Sequence, residues 1–208
     1  MGKIQFRKLT TEAEVENYLK KFESFVGVKL PFEYSMRSTV IGAFKEGELV
    51  GGYMLVTKPS FRSLMFVPDD VKSSHQFFKT DQYEMMEVNG VWIGASVKAA
   101  GEYFRIWIQM MWDVFMSRKK YVLLMADLRN GNIKNIHGLT DPELLYEGPP
   151  MLMAGAKSHS KIRVSYTTRW QLIANIPSYL MEYRNRQKKS ARRLKERAYI
   201  RAMRQAEL

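Results

Sequence analysis

The apolar positions near the start of the chain follow first a strand-like spacing and then a helical one. Residues 3–8 alternate between apolar and polar side chains, which indicates a β-strand. Thr10 or Thr11 together with Glu14 forms a capping box, the pattern that opens a helix. We therefore expect a strand followed by a helix that runs to about Phe25.

Two strand-like runs follow, over 36–44 and 49–57, and the segment between them has the length and chemistry of a hairpin turn. Residues 60–80 break this rhythm with a proline, two aspartates and several phenylalanines, so we expect an irregular segment or short helices over a binding cleft. A further strand is predicted over 83–93. The Asn89-Gly90 pair inside it is a turn signal and indicates a bulge.

A long buried helix is predicted from residue 97 or 98 to about Met116, because apolar residues recur there at intervals of three and four. Residues 121–126 form an uninterrupted apolar run, which is typical of a central strand covered on both faces. A short helix-like segment then ends near Gly138. Further strand signals lie over 144–146, 151–154 and 162–175.

The composition excludes several classes of chemistry. The chain has no cysteine, so disulfides, thiol nucleophiles and cysteine-ligated metals are absent. His75, His137 and His159 are too far apart in sequence for a local metal motif, and we expect no metal site. The phosphate-binding P-loop, the dinucleotide fingerprint Gly-x-Gly-x-x-Gly and the hydrolase elbow Gly-x-Ser-x-Gly are also absent.

The sequence shows no pattern of a signal peptide or a membrane span. The first residues lack the apolar core of a signal peptide. The longest uncharged apolar stretch, 170–181, is well short of the roughly 20 residues needed to span a bilayer. We therefore expect a cytoplasmic protein.

The net charge of +12 over 208 residues is concentrated at the C-terminus. Residues 181–208 hold ten basic and three acidic side chains, a net charge of +7, and consist mostly of good helix formers after Ser178, a potential N-cap. We expect a folded domain over 1–177 and a basic helical tail over 178–208. Such a tail is either a solvated helix or a surface for nucleic acid, an anionic membrane surface or an acidic protein partner.

The order of elements, with a hairpin before the central strand and helix, resembles that of the GNAT (Gcn5-related N-acetyltransferase) superfamily. Three segments carry the resemblance: the strand EVNGVWI at 87–93, the strand YVLLMADLRN at 121–130, and the short helix that ends in IHG at 136–138. The resemblance implies an α/β (α+β) fold with a mixed, mostly antiparallel central sheet flanked by helices. It also implies acyl-CoA or acetyl-CoA as co-substrate.

In this family, a loop of the pattern Gln/Arg-x-x-Gly-x-Gly/Ala holds the cofactor pyrophosphate on backbone amides at a helix start. The matching residues are Lys98, Ala100 and Gly101, with lysine in place of Gln/Arg and Tyr103 in place of the last small residue. The alternative is that the small residues over 94–100 only let the helix pack closely on the strand. The resemblance also assigns the strand segment Trp92, Ile93 and Gly94 to the cofactor, because its amides polarise the thioester carbonyl.

The resemblance further implies a carboxylate base, an asparagine and a proton donor. Glu84 and Glu87 both lie on the predicted strand, on opposite faces, and Glu87 is the preferred base; either could instead be an edge carboxylate paired to a lysine. Family members often carry an asparagine at the end of the next strand and a tyrosine seven residues later. With Asn130 as that asparagine, His137 takes the tyrosine position, unless it is only a structural histidine, and Tyr146 is a second candidate acid.

Two functions remain open. The first is a GNAT-like acyltransferase that moves an acyl group from acyl-CoA or acyl-carrier protein to an amine or similar acceptor by direct attack. Its apolar residues over 60–86 would form a large acyl or acceptor pocket, or an ordinary core. The second is a non-catalytic binding protein of the same fold that holds nucleic acid or an assembly partner through residues 181–208.

Overall fold

The computed structural model describes residues 3–128, 137–138, 140–151 and 161–206. The chain divides into two compact units, Met1–Ile173 and Ala174–Leu208. The strands are β1 Gln5–Leu9, β2 Thr39–Lys45, β3 Glu48–Val56, β4 Met85–Ile93, β5 Tyr121–Asp127, β6 Glu143–Gly148 and β7 Ile162–Thr168. The helices are α1 Glu12–Val26, α2 Phe32–Met36, α3 Arg62–Met65, α4 Asp69–Ser74, α5 Ala100–Met116, α6 Arg169–Ala174 and α7 Ile176–Ala206.

The seven strands form one sheet in the order β1-β2-β3-β4-β5-β7-β6. Every neighbouring pair is antiparallel except β4 and β5, which are parallel. The β4–β5 connection is α5, as expected for a parallel pair, which needs a crossover. The expected mixed, mostly antiparallel sheet flanked by helices is confirmed.

Helices cover both faces of this sheet. Tyr18 of α1 packs in the main core with Val40 of β2. Ala43 lies an odd number of residues from Val40 and therefore points to the opposite face, where it packs against Ile106 of α5. The sheet is thus covered by α1 and α2 on one side and by α5 on the other.

The start of α1 is held by the predicted capping box. The Thr11 hydroxyl accepts a hydrogen bond from the Glu14 N–H, and the Glu14 carboxylate accepts from the backbone N–H of Thr11. Arg7 on β1 forms an ion pair with the same carboxylate. Hydrogen bonds with Arg7 and the nearby backbone lower the pKa of Glu14 to about 2.

The segment over 60–80 forms short helices, and its aromatic residues belong to the core. Phe61 and Phe66 are each 1% exposed. The Phe77 ring stacks on Tyr166 with centroids 4.0 Å apart and meets Tyr121 edge-on at 5.4 Å. Phe61, Phe66 and Phe77 therefore belong to the ordinary core, which was the alternative to a large acyl or acceptor pocket.

The strand expected from residue 36 begins only at Thr39, because Met36 ends α2. Three further sequence expectations about element boundaries were wrong. The strand predicted to end at residue 175 stops at Thr168, where α6 begins. The Thr168 hydroxyl accepts from the Gln171 N–H at 3.1 Å, and the Gln171 side chain accepts from the Thr168 N–H at 2.9 Å, so a second capping box ends the strand. Glu84 lies in a short 3₁₀ turn before β4 instead of on the strand.

The third error concerns the C-terminal helix, which begins at Ile176 and contains Ser178 inside its first turns. Pro177 does not prevent this, because the first N–H groups of a helix have no intrahelical acceptor. Among the described residues, no helix combines the length and the apolar character needed to cross a bilayer.

Candidate active site

A bulge in β4 shapes the region where the resemblance places the chemistry. Gly52 pairs with Trp92 and Met54 pairs with Asn89, so two residues of β4 face one residue of β3. Gly90 in the bulge has a φ of +61°, and a Cβ there would lie 2.9 Å from the Met54 sulfur. The Tyr18 hydroxyl donates to the Gly90 carbonyl at 2.6 Å and so fixes the bulge to α1. The bulge predicted at Asn89-Gly90 is thus confirmed.

Beyond its first three residues, β4 separates from β5. The two strands pair only from Met85 with Tyr121 to Glu87 with Leu123. From there β4 continues along β3 to Ile93, while β5 continues along β7 to Asp127. The parallel strands therefore diverge into a V-shaped opening between residues 88–93 of β4 and residues 124–127 of β5, which we call the cleft.

The divergence leaves backbone groups of β4 directed into this opening. The Gly94 N–H donates to the Val50 carbonyl of β3 at 2.7 Å. Because backbone groups of successive strand residues point to opposite edges, the Ile93 N–H points away from β3, toward the side that β5 leaves. The Trp92 side chain is 4% exposed and stacks on Phe25 with centroids 5.1 Å apart, so this ring is a packing residue.

The first turn of α5 follows directly and has no side-chain cap. Its first hydrogen bond is donated by Glu102 N–H to the Ala99 carbonyl, so the amides of Ala100 and Gly101 precede the intrahelical ladder. A Cβ at Gly101 would meet no atom within 4 Å, and Lys98 is exposed beside it. This helix start has free amides, open space and a cation, all of which suit an anionic group.

The charge of Glu102 at this helix start is compensated. Its carboxylate forms an ion pair with Lys45 of β2 at 2.8 Å. Hydrogen bonding to Lys45 lowers the pKa of Glu102. The carboxylate therefore belongs to a local pair, which reduces its repulsion of an anion bound at the helix start.

Glu87 lies on β4 one residue before the strands diverge and is only 2% exposed. Both of its carboxylate oxygens accept from the Ser63 N–H of α3 at 3.3 Å. Burial raises the pKa of Glu87 to about 7, although hydrogen bonds from the Ser63 and Arg62 amides and from Tyr34, together with the Arg62 charge, favour the ionised form. Glu87 therefore changes protonation state near neutral pH.

Asn89 and Tyr34 are further partners of Glu87 that were not predicted from the sequence. The Asn89 amide nitrogen donates to Glu87 at 3.0 Å and to the Tyr34 hydroxyl at 3.1 Å, while its oxygen accepts from the Gly90 N–H at 2.7 Å. Asn89 is two residues from Glu87 and so shares its face of the strand, which is a signal the sequence did contain. The side chains join the base candidate to the bulge.

The two candidate acids make other contacts. Tyr146 is on β6, which β7 separates from β5, and its hydroxyl donates to the Pro149 carbonyl at 2.7 Å. His137 is half-buried, and burial lowers its pKa to about 4, so the imidazole is neutral at pH 7. Its carbonyl accepts from Thr140, which in turn accepts from Thr167 of β7. Asn130 lies outside the described residues.

The structure therefore brings together one part of the predicted site. Glu87, Trp92 and Ile93 lie on β4 and Gly94 directly follows it. Lys98, Ala100 and Gly101 lie on the loop and helix start that come next. Their roles in catalysis and binding stay predictions. Within the described ranges, no three His, Asp or Glu side chains form a group that could hold a metal ion.

Comparison with solved structures identifies the fold. FeeM, an N-acyl amino acid synthase from uncultured soil microbes, superposes with a TM-score of 0.61 at 8% identity and covers 84% of this chain and 96% of its own. A GCN5-related N-acetyltransferase from Brucella melitensis has a TM-score of 0.50 at 9% identity, covering 86% and 82%. The yncA protein of Salmonella typhimurium, solved with its cofactor acetyl-CoA, has a TM-score of 0.50 at 8% identity, covering 80% and 94%.

No protein-family model and no curated protein matches the sequence. These three structural matches nevertheless cover 80–86% of this chain. The chain has the GNAT fold, as the order of its sequence elements indicated.

Proposed function

We propose that this protein is an acyltransferase that moves an acyl group from acyl-CoA, or from an acyl-carrier protein, to an amine or a similar nucleophile. The observation that carries the proposal is the divergence of β4 from β5 beside an uncapped helix start. Beside this opening lie the Ile93 N–H, the free amides at the start of α5 and the Glu87 carboxyl group, whose pKa is about 7. These groups suit a thioester carbonyl, a pyrophosphate and an amine proton, respectively.

The backbone of this region binds and polarises the donor. The amides of Ala100 and Gly101 and the Lys98 ammonium hold the pyrophosphate of CoA. The open space at Gly101 allows that group to approach the backbone closely. The Ile93 N–H donates to the thioester carbonyl oxygen, where negative charge develops when the acceptor attacks. Binding both reactants in one cleft removes most of the entropic cost of their encounter.

Glu87 accepts the proton of the attacking amine, directly or through water. A base with a pKa of about 7 is partly ionised at neutral pH and still binds a proton usefully. Asn89 and Tyr34 position its carboxylate. A carbon–nitrogen bond forms, the carbon–sulfur bond breaks, and the thiolate takes a proton from water, because the His137 imidazole is already neutral at pH 7 and β7 separates Tyr146 from the cleft. No covalent enzyme intermediate is required.

A ligand-binding assay tests the proposal. We expect acetyl-CoA, a longer acyl-CoA or a loaded acyl-carrier protein to raise the melting temperature, since a ligand of the folded state stabilises it. Lys98→Glu should weaken this effect, whereas Lys20→Glu, the same charge change at an exposed site on α1, should not. If none of the donors stabilises the wild-type protein, it is not an acyltransferase.

The acceptor is sought among amines. The N-acyl amino acid synthase among the structural neighbours makes free amino acids the first class to test as acceptors. Peptides with a free N-terminus form the second class. Release of free thiol that depends on the acceptor identifies the substrate.

A second function rests on the charge of α7. Ten basic side chains lie between residues 181 and 208, which gives this segment affinity for polyanions. A non-catalytic protein of this fold would use the segment to hold nucleic acid or an acidic partner. Deletion of 181–208 should then abolish salt-sensitive binding to RNA or DNA; unchanged binding excludes this role for the segment.

A further inference from the structure

Four large apolar side chains are exposed together at the end of the sheet opposite the cleft. Tyr83 is 66% exposed, Trp112 54%, Met116 53% and Trp170 61%. They lie where β4 and β5 begin and β7 ends, whereas the strands diverge at the other end. Buried apolar area stabilises a fold, so exposed aromatic side chains in one place indicate a surface with a partner.

Ring contacts join these side chains into one surface. The Trp112 and Phe115 rings of α5 lie 6.1 Å apart, and Phe115 meets Trp170 of α6 edge-on at 5.1 Å. Met116 is one helical turn after Trp112 and so lies on the same side of α5. Tyr83 joins this surface through its carbonyl, which accepts from the Lys119 ammonium at 2.6 Å.

Basic residues surround the apolar ones. Arg118, Lys119 and Lys120 follow α5 directly, and the Arg169 N–H donates to the Lys120 carbonyl at 3.2 Å. The Arg169 guanidinium lies 5.9 Å from the Phe115 ring centre and 5.5 Å from that of Trp170. We call this surface the aromatic–basic end: Tyr83, Trp112, Met116, Arg118, Lys119, Lys120, Arg169 and Trp170.

The acidic groups near this surface leave it positive. Glu84 faces Lys120 at 3.8 Å, and Asp81 accepts from the Tyr83 N–H. Asp113 is turned to the Tyr53 hydroxyl and to Gln109. Asp141 and Glu143 lie beside the end of β7, where the Glu143 carboxylate accepts from the Tyr166 hydroxyl. The four cations of the aromatic–basic end thus exceed the two carboxylates that contact its residues, Asp81 and Glu84.

We propose that the aromatic–basic end docks this protein on an anionic lipid membrane. Tryptophan and tyrosine favour the headgroup region of a bilayer, where one part of the ring is apolar and the other meets water. Lysine and arginine near the surface are attracted by anionic lipids. Both kinds of side chain are present in one exposed surface, with the cleft at the opposite end of the sheet.

Two other occupants fit the observations less well. A symmetric contact with a second copy would bring the same four cations of each copy together, which is repulsive. A single-stranded nucleic acid needs free ring faces for its bases, and the Arg169 guanidinium already covers one face of Phe115 and of Trp170. A membrane surface needs neither symmetry nor free ring faces.

Vesicle flotation with the full-length protein tests the proposal. The vesicles contain phosphatidylcholine alone or with about 30 mol % phosphatidylserine, at about 0.1 M salt. We expect binding to the anionic vesicles only, with a blue shift of tryptophan emission. The double variant Trp112→Ala, Trp170→Ala should bind about tenfold more weakly and lose the blue shift, because the two remaining tryptophans, the buried Trp92 and the half-buried Trp107, are not part of the aromatic–basic end.

Charge variants separate this surface from the basic helix α7, which all proteins in the experiment retain. Arg118→Gln with Lys120→Gln should lower vesicle binding about 30-fold, at about fivefold per cation. Lys20→Gln with Lys29→Gln removes the same charge from exposed positions outside this surface and should change binding little. Thermal unfolding followed by circular dichroism checks that each variant is folded. We expect this because all substituted side chains are exposed.

Three outcomes would overturn the proposal. The first is equal binding to neutral and anionic vesicles, or none. The second is full binding by the tryptophan double variant, which would place the membrane contact elsewhere, with α7 as the first candidate. The third is occupation of the surface by another partner. Tryptophan quenching by a single-stranded oligonucleotide that competes with vesicles would indicate nucleic acid, and self-association that the double variant abolishes would indicate a second copy.

Discussion

Replacement of Glu87 by glutamine removes a buried charge and keeps the shape of the side chain. In the folded protein the pKa of Glu87 is about 7, against an ordinary value of 4.5. The folded state therefore holds this proton more tightly than the unfolded state between these pH values. The stability that this tighter proton binding adds is fully present below about pH 4.5 and is lost as the pH rises through about 7.

The magnitude follows from the difference between these two pKa values. At about 1.4 kcal/mol for each unit of pKa, wild-type protein loses about 3 kcal/mol relative to Glu87→Gln between pH 4.5 and pH 8. The glutamine amide also faces donors from Ser63 and Asn89, which costs about 1–3 kcal/mol at every pH. The pH dependence of the difference, and not its absolute value, is therefore the quantity to measure.

Urea unfolding of both proteins at several pH values provides this measurement. Glu84→Gln is the matched control, because Glu84 is half-exposed in a turn before the same strand. Between pH 4.5 and pH 8, we expect the difference in free energy of unfolding between Glu87→Gln and wild type to change by about 3 kcal/mol, and that of Glu84→Gln to change much less. Equal changes for the two variants would refute the burial argument for Glu87.

The same variant tests the role of Glu87 in catalysis. If Glu87 is the general base, acyl transfer by the wild type rises with pH through about 7, and Glu87→Gln lowers kcat by about 10²–10⁴ and removes this pH dependence. A variant with the expected stability profile and unchanged kcat would leave Glu87 only the task of holding α3.

Three further substitutions test separate parts of the structure. Gly101→Val should leave the free energy of unfolding within about 0.5 kcal/mol and weaken acetyl-CoA binding about tenfold by calorimetry; undiminished affinity would place the pyrophosphate elsewhere. Gly90→Ala should cost about 1–3 kcal/mol in urea unfolding, and Gly47→Ala, also at positive φ but without a near neighbour, should cost less; equal losses would exclude the Met54 clash. Thr11→Ala should cost about 1 kcal/mol, and Thr10→Ala, whose hydroxyl makes no cap, should not; equal melting temperatures would contradict the capping box.

Local signals predicted most of the domain. The Thr11 capping box and the Asn89-Gly90 bulge depend on residues close in sequence, and both formed where expected. The second capping box, Thr168 with Gln171, was overlooked because β-branched and apolar residues continue through it and suggest a longer strand. The competing local signal, a polar cap, ended the strand.

The site was predictable only along one strand. Glu87 and the segment through Gly94 follow from the order of elements, because the bulge and the next helix lie close by in sequence. Tyr34 and Ser63 could not be predicted as partners of Glu87, since α2 and α3 reach it only after folding. Tyr146 was a candidate because of its sequence position, but insertion of β7 between β5 and β6 separates it from the cleft.

That insertion of β7 also bears on how the chain is completed during synthesis. Tyr121 of β5 pairs with Thr168, so β5 emerges from the ribosome well before the strand that covers its edge. Until β7 arrives, the nascent sheet exposes an apolar edge, the kind of surface that aggregates or recruits chaperones. Fragments that end before Ile162 retain that edge permanently, which makes the last strand decisive for the solubility of the whole domain.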